Sequence, residues 1–357
     1  MTGNRKMIRT TTHRNSESCP IDFVILWVDG SDPAWQDELK AWSSDDPDVD
    51  SRPQRFRDWG ILPYWFRGVE AFAPWVRKIH FVTCGHLPPW LNTNHPKLNI
   101  VNHRDFMPAD ALPTFNSRAL ELNFHHIAGL SEHFVYFNDD FFLNGYVTPD
   151  YYFKHGLPCD NNAEELVNTM RYDPIGKFNI RISLYTNICV INGHFDRKDV
   201  VRQHFNHWFG FHLTLKDIMT SILLSLFSHG LFSGFRVRHY EQPYLKSVFD
   251  DAWDKESEML IKSSTRFREL ATLTPYFFRY WQLVSNKFHP SKNCNSRRYR
   301  IGIENMKVIE NAMKDERIKS ICLNDTTYCS EEDFIKAKKE INFLFFNKFT
   351  EKSQFEI

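Results

Sequence analysis

Four short apolar runs dominate the first 140 residues: IDFVILWV from Ile21, KIHFVTCG from Lys78, LNIVNHRDF from Leu98 and FVYFNDD from Phe134. The first is continuously apolar and has the length of a parallel strand buried on both faces. The second stops at a glycine. Between the runs lie segments with helical spacing. One extends from Asp58 to Ala73, with Pro63 blurring its start, and the other is SRALELNFHHIAGL over 117–130. Strands alternating with helices predict an α/β fold: a mainly parallel, Rossmann-like sheet with helices on both faces.

After about residue 156 the alternation loosens. ISLYTNICVINGHF, from Ile182, is expected to supply further strands. KDIMTSILLSLFSHGLF, over 216–232, is apolar almost all round. It is too short to span a bilayer and too greasy for a surface helix, so a buried helix is expected, with a membrane-dipping element as the alternative. PYFFRYWQLVSNKF reads as a core helix, and Ser330 with Asp333 as a capping box that opens a helix through about Phe345. The expected organisation is a flexible tail over 1–20, a Rossmann-like half over 21–155, a more helical second half over 156–290 and a helical region over 291–357. The polar, Pro-containing stretch 42–55 reads as a loop.

Several classes are disfavoured. Lys and Arg number 44, as do Asp and Glu, so no global field recruits nucleic acid. The seven cysteines (19, 84, 159, 189, 294, 322 and 329) contain no CxxC pair and resemble neither a zinc site nor a disulfide framework. The first twenty residues lack an apolar signal core, and no run reaches the roughly 20 apolar residues of a spanning helix. A reducing cytoplasm is the expected location.

Asn138, Asp139 and Asp140 stand where a core strand is finishing. Adjacent carboxylates repel, and burying either without a partner is unfavourable. A simple turn would account for them. So would a metal and phosphate site at the carboxyl end of a strand, where α/β sheets keep their ligands. WVDGSD closes the first strand with Asp29 and Asp32 around Gly30 and Ser31. In a parallel sheet both ends open on one edge, which would bring four carboxylates together and suit Mg2+ or Mn2+. Two unrelated Asp-rich turns are the competing reading.

Basic and polar groups follow. LPTFNSRALE sets Thr114, Asn116 and Ser117 ahead of a helix they would cap, and that N-terminus with Arg118 offers an anion site. RFRDWG offers Arg57 and Asp58, either to a ligand or to exposed salt bridges. RVRHYEQPYLKS gathers Arg236, Arg238, His239 and Lys246, and STRFREL adds Arg266 and Arg268. Folded onto the acidic edge, these would supply cationic phosphate clamps and a titratable imidazole, the equipment of phosphoryl transfer.

In these blocks the chain resembles the Stealth proteins, which include bacterial capsular polysaccharide phosphotransferases and the lysosomal-enzyme N-acetylglucosamine-1-phosphotransferase. The resemblance is carried by IDFVILWVDGSDPAW, by RFRDWGILPYWFRGVEAFAPWVRKIHFVTCGHLPPWLN and by HRDFMPADALPTFNSRALELNFHHIAGLSEHFVYFNDDFFL. RHYEQPYLKSVFDDAW, FFRYWQLVSNKF and the closing KSQFEI extend it. It implies a glycosyltransferase-A-like fold whose first half binds a UDP-sugar donor. It also implies transfer of a hexose or N-acetylhexosamine 1-phosphate to a glycan hydroxyl, with release of UMP, in capsular or exopolysaccharide synthesis. By motif position, Asp140, His239 and Arg268 fall on catalytic residues, with Arg266 a competitor for the last. Asp140, Asp139 and Asp29 are the expected ligands of Mg2+ or Mn2+.

The expected substrate contacts are Asp29, Gly30, Ser31, Asp32, Arg57, Asp58, Thr114, Asn116, Ser117, Arg118, Asn138, Gln242 and Lys246. The expected partners are the UDP-sugar and a glycan or lipid-linked polysaccharide acceptor, with peripheral contact to capsule machinery or the inner face of the plasma membrane. Bacterial relatives often read HLPQPFLKS where this chain has HYEQPYLKS, a departure expected to touch the acceptor or local packing more than the chemistry. Two rivals stand beside this reading. One is a metal-dependent glycosyltransferase that releases UDP, and the other is a catalytically silent sugar-nucleotide-binding module.

Overall fold

The computed structural model describes residues 19–43, 56–167, 180–292, 295–325 and 330–357. Almost all of the expected tail over 1–20, and of the loop over 42–55, lies outside the described residues. Strand β1 (Ile21–Leu26) leads to α1 (Pro33–Ser43), and α2 (Leu62–Phe72) to β2 (Ile79–Thr83) and β3 (Leu98–Asn102). Short α3 (Ser117–Leu122) precedes β4 (His133–Phe137) and β5 (Phe141–Leu143). Next come α4 (Pro149–Tyr152), β6 (Phe153–Lys154) and β7 (Leu157–Asp160), then α5 (Ile180–His194), α6 (Arg197–Gln203), α7 (Phe205–Trp208) and α8 (Leu215–Phe227). Strand β8 (Gln242–Leu245) is followed by α9 (Lys246–Ser263), α10 (Tyr276–Val284), β9 (His289–Pro290) and β10 (Ser296–Arg300). The chain closes with α11 (Met306–Lys314), β11 (Ser320–Asn324) and α12 (Glu331–Lys348).

The central sheet has the order β3-β2-β1-β4-β8. Its first four strands are parallel, and β8 closes the edge antiparallel to β4. Every residue of β1, β2 and β4 is buried, which is why these runs carry apolar side chains on both faces. Phe23 and Phe137 meet at the centre with ring centroids 4.7 Å apart, and full burial of such a side chain contributes about 1.5–3 kcal/mol. Asp22, a buried charge inside β1, is tolerated because it accepts hydrogen bonds from Arg77 Nε (2.8 Å), His80 Nε2 (2.9 Å) and the Ser131 N–H (2.8 Å).

A second sheet, β10-β11-β5, pairs β10 parallel and β5 antiparallel with β11. Only Asn138, Asp139 and Asp140 separate β4 from β5, so this turn is where the chain passes from the large sheet into the small one. The Phe141 N–H to Asn138 carbonyl bond (3.1 Å) closes the turn, and the Leu323 N–H donates to the Asp140 carbonyl (2.8 Å). A third small sheet joins β6, β7 and β9.

Four expectations need correction. Residues 182–195 are not strands: Ile180–His194 is a helix whose buried Ser183, Leu184, Asn187, Ile188 and Ile191 recur every three or four positions. The helix expected over 117–130 stops at Leu122, where the Asn123 side chain turns back onto the Ala119 carbonyl (2.8 Å), and a single 3-10 turn follows. The apolar helix is not buried, since only Asp217 and Ser221 of α8 are shielded from solvent. The C-terminal region is not purely helical, because β10 and β11 build most of the second sheet. The capping box does open α12, with Ser330 Oγ accepting from the Asp333 N–H. Among the described residues no helix is long and apolar enough to cross a membrane.

Candidate active site

A cavity of about 650 Å³ opens at the carboxyl ends of β1 and β4. Its floor is the Asn138–Asp140 turn, and its walls come from 56–59, 114–118, 237–240, Gln242, Arg268 and the end of β11. Antiparallel pairing decides what β8 contributes. Gln242 sits level with Tyr136 near the end of β4, so the segment just before β8 reaches the cavity. Lys246, beyond the other end of β8, is carried to the opposite edge of the sheet and does not line the cavity.

Asp140 Oδ2 accepts from Asn324 Nδ2 (2.8 Å) and Cys322 Sγ (3.4 Å), and lies 3.5 Å from His239 Nε2. Asn324 Nδ2 is also 3.2 Å from that ring nitrogen, and the imidazole packs edge-on against Phe141. The other carboxylate oxygen, Asp140 Oδ1, is buried and has no hydrogen-bond partner. Such an atom is unfavourable unless something positive meets it. Asp139 is reached by solvent inside the cavity, yet protein crowds it closely. That desolvation, with the neighbouring Asp140 charge, pushes its pKa up to about 7. Both features fit a hard divalent cation on the two carboxylates. Donor atoms of Asp140, His239 and Cys322 also lie within 4.8 Å of one another. Burial and the Asp140 charge push the Cys322 thiol well above its usual range, however, so it serves as a donor to Asp140 rather than as a ready thiolate.

The basic wall is built by two segments zipped together. The Phe115 N–H donates to the Arg266 carbonyl (2.9 Å), Asn116 Nδ2 donates to the Thr265 carbonyl (3.1 Å), and Phe115 stacks on Phe267 with centroids 5.3 Å apart. Asn116 also caps α3 through the Arg118 N–H. This zipper sets Arg268 against Ser117, with its Nη2 3.0 Å from the hydroxyl. It also separates the two arginines. Arg266 donates to the carbonyls of Pro113 (2.9 Å) and Leu112 (2.7 Å) and lies over Trp42, outside the cavity, whereas Arg268 lines it. Beneath Arg268, burial pushes Glu121 up to about 7, against the pull of Arg268, Tyr136, Arg118 and Ser117.

The structure thus brings Asn138, Asp139, Asp140, His239, Arg268, Arg57, Asp58, Thr114, Asn116, Ser117, Arg118 and Gln242 around one cavity. Arg57 lies 3.7 Å from Asp325 there and stacks over Phe334. Asp29, Gly30, Ser31 and Asp32 are not in the lining, so four carboxylates do not converge. Asp29 Oδ1 accepts from the Ser31 N–H (2.9 Å) and hydroxyl (2.6 Å), and Asp32 accepts from the Trp35 N–H (2.8 Å) at the start of α1. A Cβ on Gly30 would fall 2.0 Å from the Phe56 carbonyl oxygen, so this turn works as a seat for the 56–59 wall.

The reading of motifs missed Glu121, Cys322 and Asn324. A signal existed for the last two: ICLND repeats the pattern of FVYFNDD, an apolar strand ended by Asn-Asp. Glu121 carried none, since it sits in an ordinary helical pattern. A second cleft of about 730 Å³ shares Arg238, Tyr240 and Gln242 with the first and adds Tyr146, Tyr151 and Lys292. Glu241, one of three departures in HYEQPYLKS with Tyr240 and Tyr244, faces this cleft and is buried, accepting from the hydroxyls of Ser320 (2.7 Å) and Tyr152 (3.4 Å).

Fold and site together define a transferase of the α/β class, with an acidic turn at a strand end facing imidazole and guanidinium groups. The chain belongs to the Stealth family. The conserved region described as Stealth protein CR1 matches residues 20–46, and Stealth protein CR2 matches 55–159. It is 38% identical over 344 residues to the exopolysaccharide phosphotransferase cps2G of Lactiplantibacillus plantarum, covering 94% of this chain and 96% of the relative. Identity is 35% with a capsular polysaccharide phosphotransferase WcwK of Streptococcus pneumoniae (94% and 98% covered). It is 33% with the receptor polysaccharide phosphotransferase WefC of Streptococcus gordonii (94% and 99%).

Proposed function

We propose that this enzyme transfers a hexose or N-acetylhexosamine 1-phosphate from a UDP-sugar to a glycan hydroxyl and releases UMP, in capsular or exopolysaccharide synthesis. The observation that carries the proposal is the meeting of Asp140, His239 and Arg268, from three distant segments, on one cavity. Phosphoryl transfer needs positioning and charge neutralisation more than covalent help from the protein, and this lining offers both. The acceptor oxygen bonds to the sugar-proximal phosphorus, the bridge to UMP breaks, and UMP leaves with the electron pair. His239, which lines the cavity, takes the hydroxyl proton. Arg268, braced by Ser117, presents its planar guanidinium to the transferring oxygens. A Mg2+ or Mn2+ held by Asp140 Oδ1 and Asp139 would neutralise the diphosphate.

The aromatic second cleft, reached across Arg238–Gln242, is the proposed seat of the acceptor glycan. We place the reaction in the cytoplasm, against the inner face of the plasma membrane where the acceptor is lipid-linked.

Product analysis tests the reading. Incubation with a UDP-hexose panel and capsule oligosaccharide should yield UMP and a glycan phosphodiester. EDTA should stop turnover, and Asp140→Asn should abolish it in a protein that melts normally. UDP release with no phosphorus in the glycan would establish a glycosyltransferase instead. Donor binding without any turnover would establish the silent module.

A further inference from the structure

Helix α8 packs with its polar side inward. Leu215, Met219, Ile222, Leu223, Leu226 and Phe227 are between 47% and 77% exposed, and their spacing puts them on one face. On the opposite face Asp217 is paired with Arg236, and the Ser221 hydroxyl donates to Glu164 and accepts from Arg197 Nη2 (2.9 Å). Arg197 in turn holds Glu164 through two bonds of 2.7 Å. These buried charges fix the rotation of the helix. Turning the apolar face inward would break the Asp217–Arg236 pair and take the Ser221 hydroxyl away from the buried Glu164–Arg197 pair, both unfavourable. Phe211, completely exposed, stands just before α8, and Leu231 stands just after it. A continuous apolar face of this kind on a folded chain marks an interaction surface.

We infer that this face docks on an anionic lipid bilayer. The helix has 13 residues, about 20 Å of length, so it can lie in the headgroup region but cannot cross. Charge selects the partner. From Asp196 to Val237 the chain carries five Lys and Arg and three Asp. Arg197 is buried on Glu164, Arg202 pairs with Asp199 and Arg236 with Asp217, and the Asp196 carboxylate caps α6 on the N–H groups of Lys198 and Asp199. Exposed Lys216 and Lys198 leave a cationic border that anionic headgroups attract. A second copy meeting this face across a two-fold axis would set the same cationic border against itself. Ile180, at the start of α5, and Val237, which closes this segment, both line the cavity. Docking would therefore hold the cavity mouth beside the bilayer; that consequence rests on the proposed function, while the docking itself does not.

Flotation of the full chain with vesicles tests the inference without reference to turnover. Vesicles containing about one-third phosphatidylglycerol should carry the protein, and pure phosphatidylcholine vesicles should carry much less. Leu223→Glu with Phe227→Glu, two solvent-facing changes, should lower binding about tenfold or more with an unchanged melting curve. Lys216→Glu should lower binding to the anionic vesicles by about fivefold or more, the effect of a basic residue near a charged surface. Absence of flotation, or a double variant that floats like the parent, would overturn the inference. So would a dimer in sedimentation that the double variant dissolves, since the face would then be a self-interface.

Discussion

Arg279 offers a test in which stability and activity should come apart. It is fully buried on α10 and makes four bonds: Nε to Asp160 Oδ2 (2.7 Å), Nη2 to Asp160 Oδ1 (3.0 Å), Nη2 to the Asn161 carbonyl (2.9 Å) and Nη1 to the Arg236 carbonyl (3.0 Å). The last bond anchors the segment that carries His239. Burial alone would raise the Asp160 pKa, but Arg279 first and Arg238 next hold it below its ordinary value, so the pair is ionised. Arg279→Met takes the two-pronged partner from the buried Asp160 carboxylate, leaving it Arg238 at 3.8 Å, and strands the Asn161 and Arg236 carbonyls. Breaking a buried pair in this way costs about 3–5 kcal/mol, equivalent to a fall in Tm of roughly 4–7 °C for a chain of this size.

The double variant Asp160→Asn with Arg279→Met removes the under-compensated carboxylate at the cost of its weaker contact with Arg238, so much of the stability should return, to within about 2 kcal/mol of the parent. Activity should not return, because the Arg236 carbonyl still lacks its anchor. Turnover should stay about tenfold down in both variants, measured well below either melting point. Thermal melts of the four proteins at neutral pH, paired with UMP release, read both quantities. Lower pH adds a sign check: in Arg279→Met the under-compensated Asp160 takes up a proton, so that variant's deficit should shrink. A single variant as stable as the parent, or a double variant whose loss equals the sum of two single losses, would refute the reasoning.

Arg268→Lys should lower kcat about a hundredfold with little change in KM, since an ammonium cannot reproduce the planar contact with transferring oxygens. Arg266→Lys should keep near-normal turnover while losing about 1 kcal/mol of stability from its carbonyl bonds; steady-state kinetics showing the reverse pattern would move the clamp two residues. Asp22 has a folded pKa below its unfolded one, because hydrogen bonds from His80, Arg77 and Ser131 outweigh burial. Its stabilisation is thus complete above the unfolded value of 3.8 and is lost as pH falls through the folded value. Urea titrations should show Asp22→Asn about 3 kcal/mol less stable at pH 7, with the gap closing below pH 4; a pH-independent gap would remove Asp22 from acid unfolding.

The parallel strands were legible because a strand covered on both faces must be apolar throughout, and few other structures use such runs. The acidic turn was legible for a related reason, since three polar residues at the end of such a run need a partner. What local pattern does not carry is which strand end faces which. Lys246 and His239 stand seven positions apart in one basic segment, yet the antiparallel entry of β8 sends them to opposite edges of the sheet. Asp29 and Asp140 end neighbouring parallel strands, yet Asp29 spends its carboxylate on Ser31 two residues away. Local hydrogen bonds of that kind compete with any site, and spacing alone does not reveal the winner.

Helix α8 shows the same limit in its sharpest form. A segment apolar almost all round predicts burial, because apolar area drives packing and each buried side chain contributes a few kcal/mol. Here the partners that decide its rotation are Glu164, Arg197 and Arg236, none of them within the helix. Arg236 is paired with Asp217, and the buried Glu164–Arg197 pair gains the Ser221 hydroxyl, only if Asp217 and Ser221 face inward. The penalty for losing these contacts matches what burying one or two leucines would return. Composition therefore describes what the helix could bury. The remote ion pairs determine what it shows to its surroundings, and the same logic makes its outward leucines available for a lipid surface.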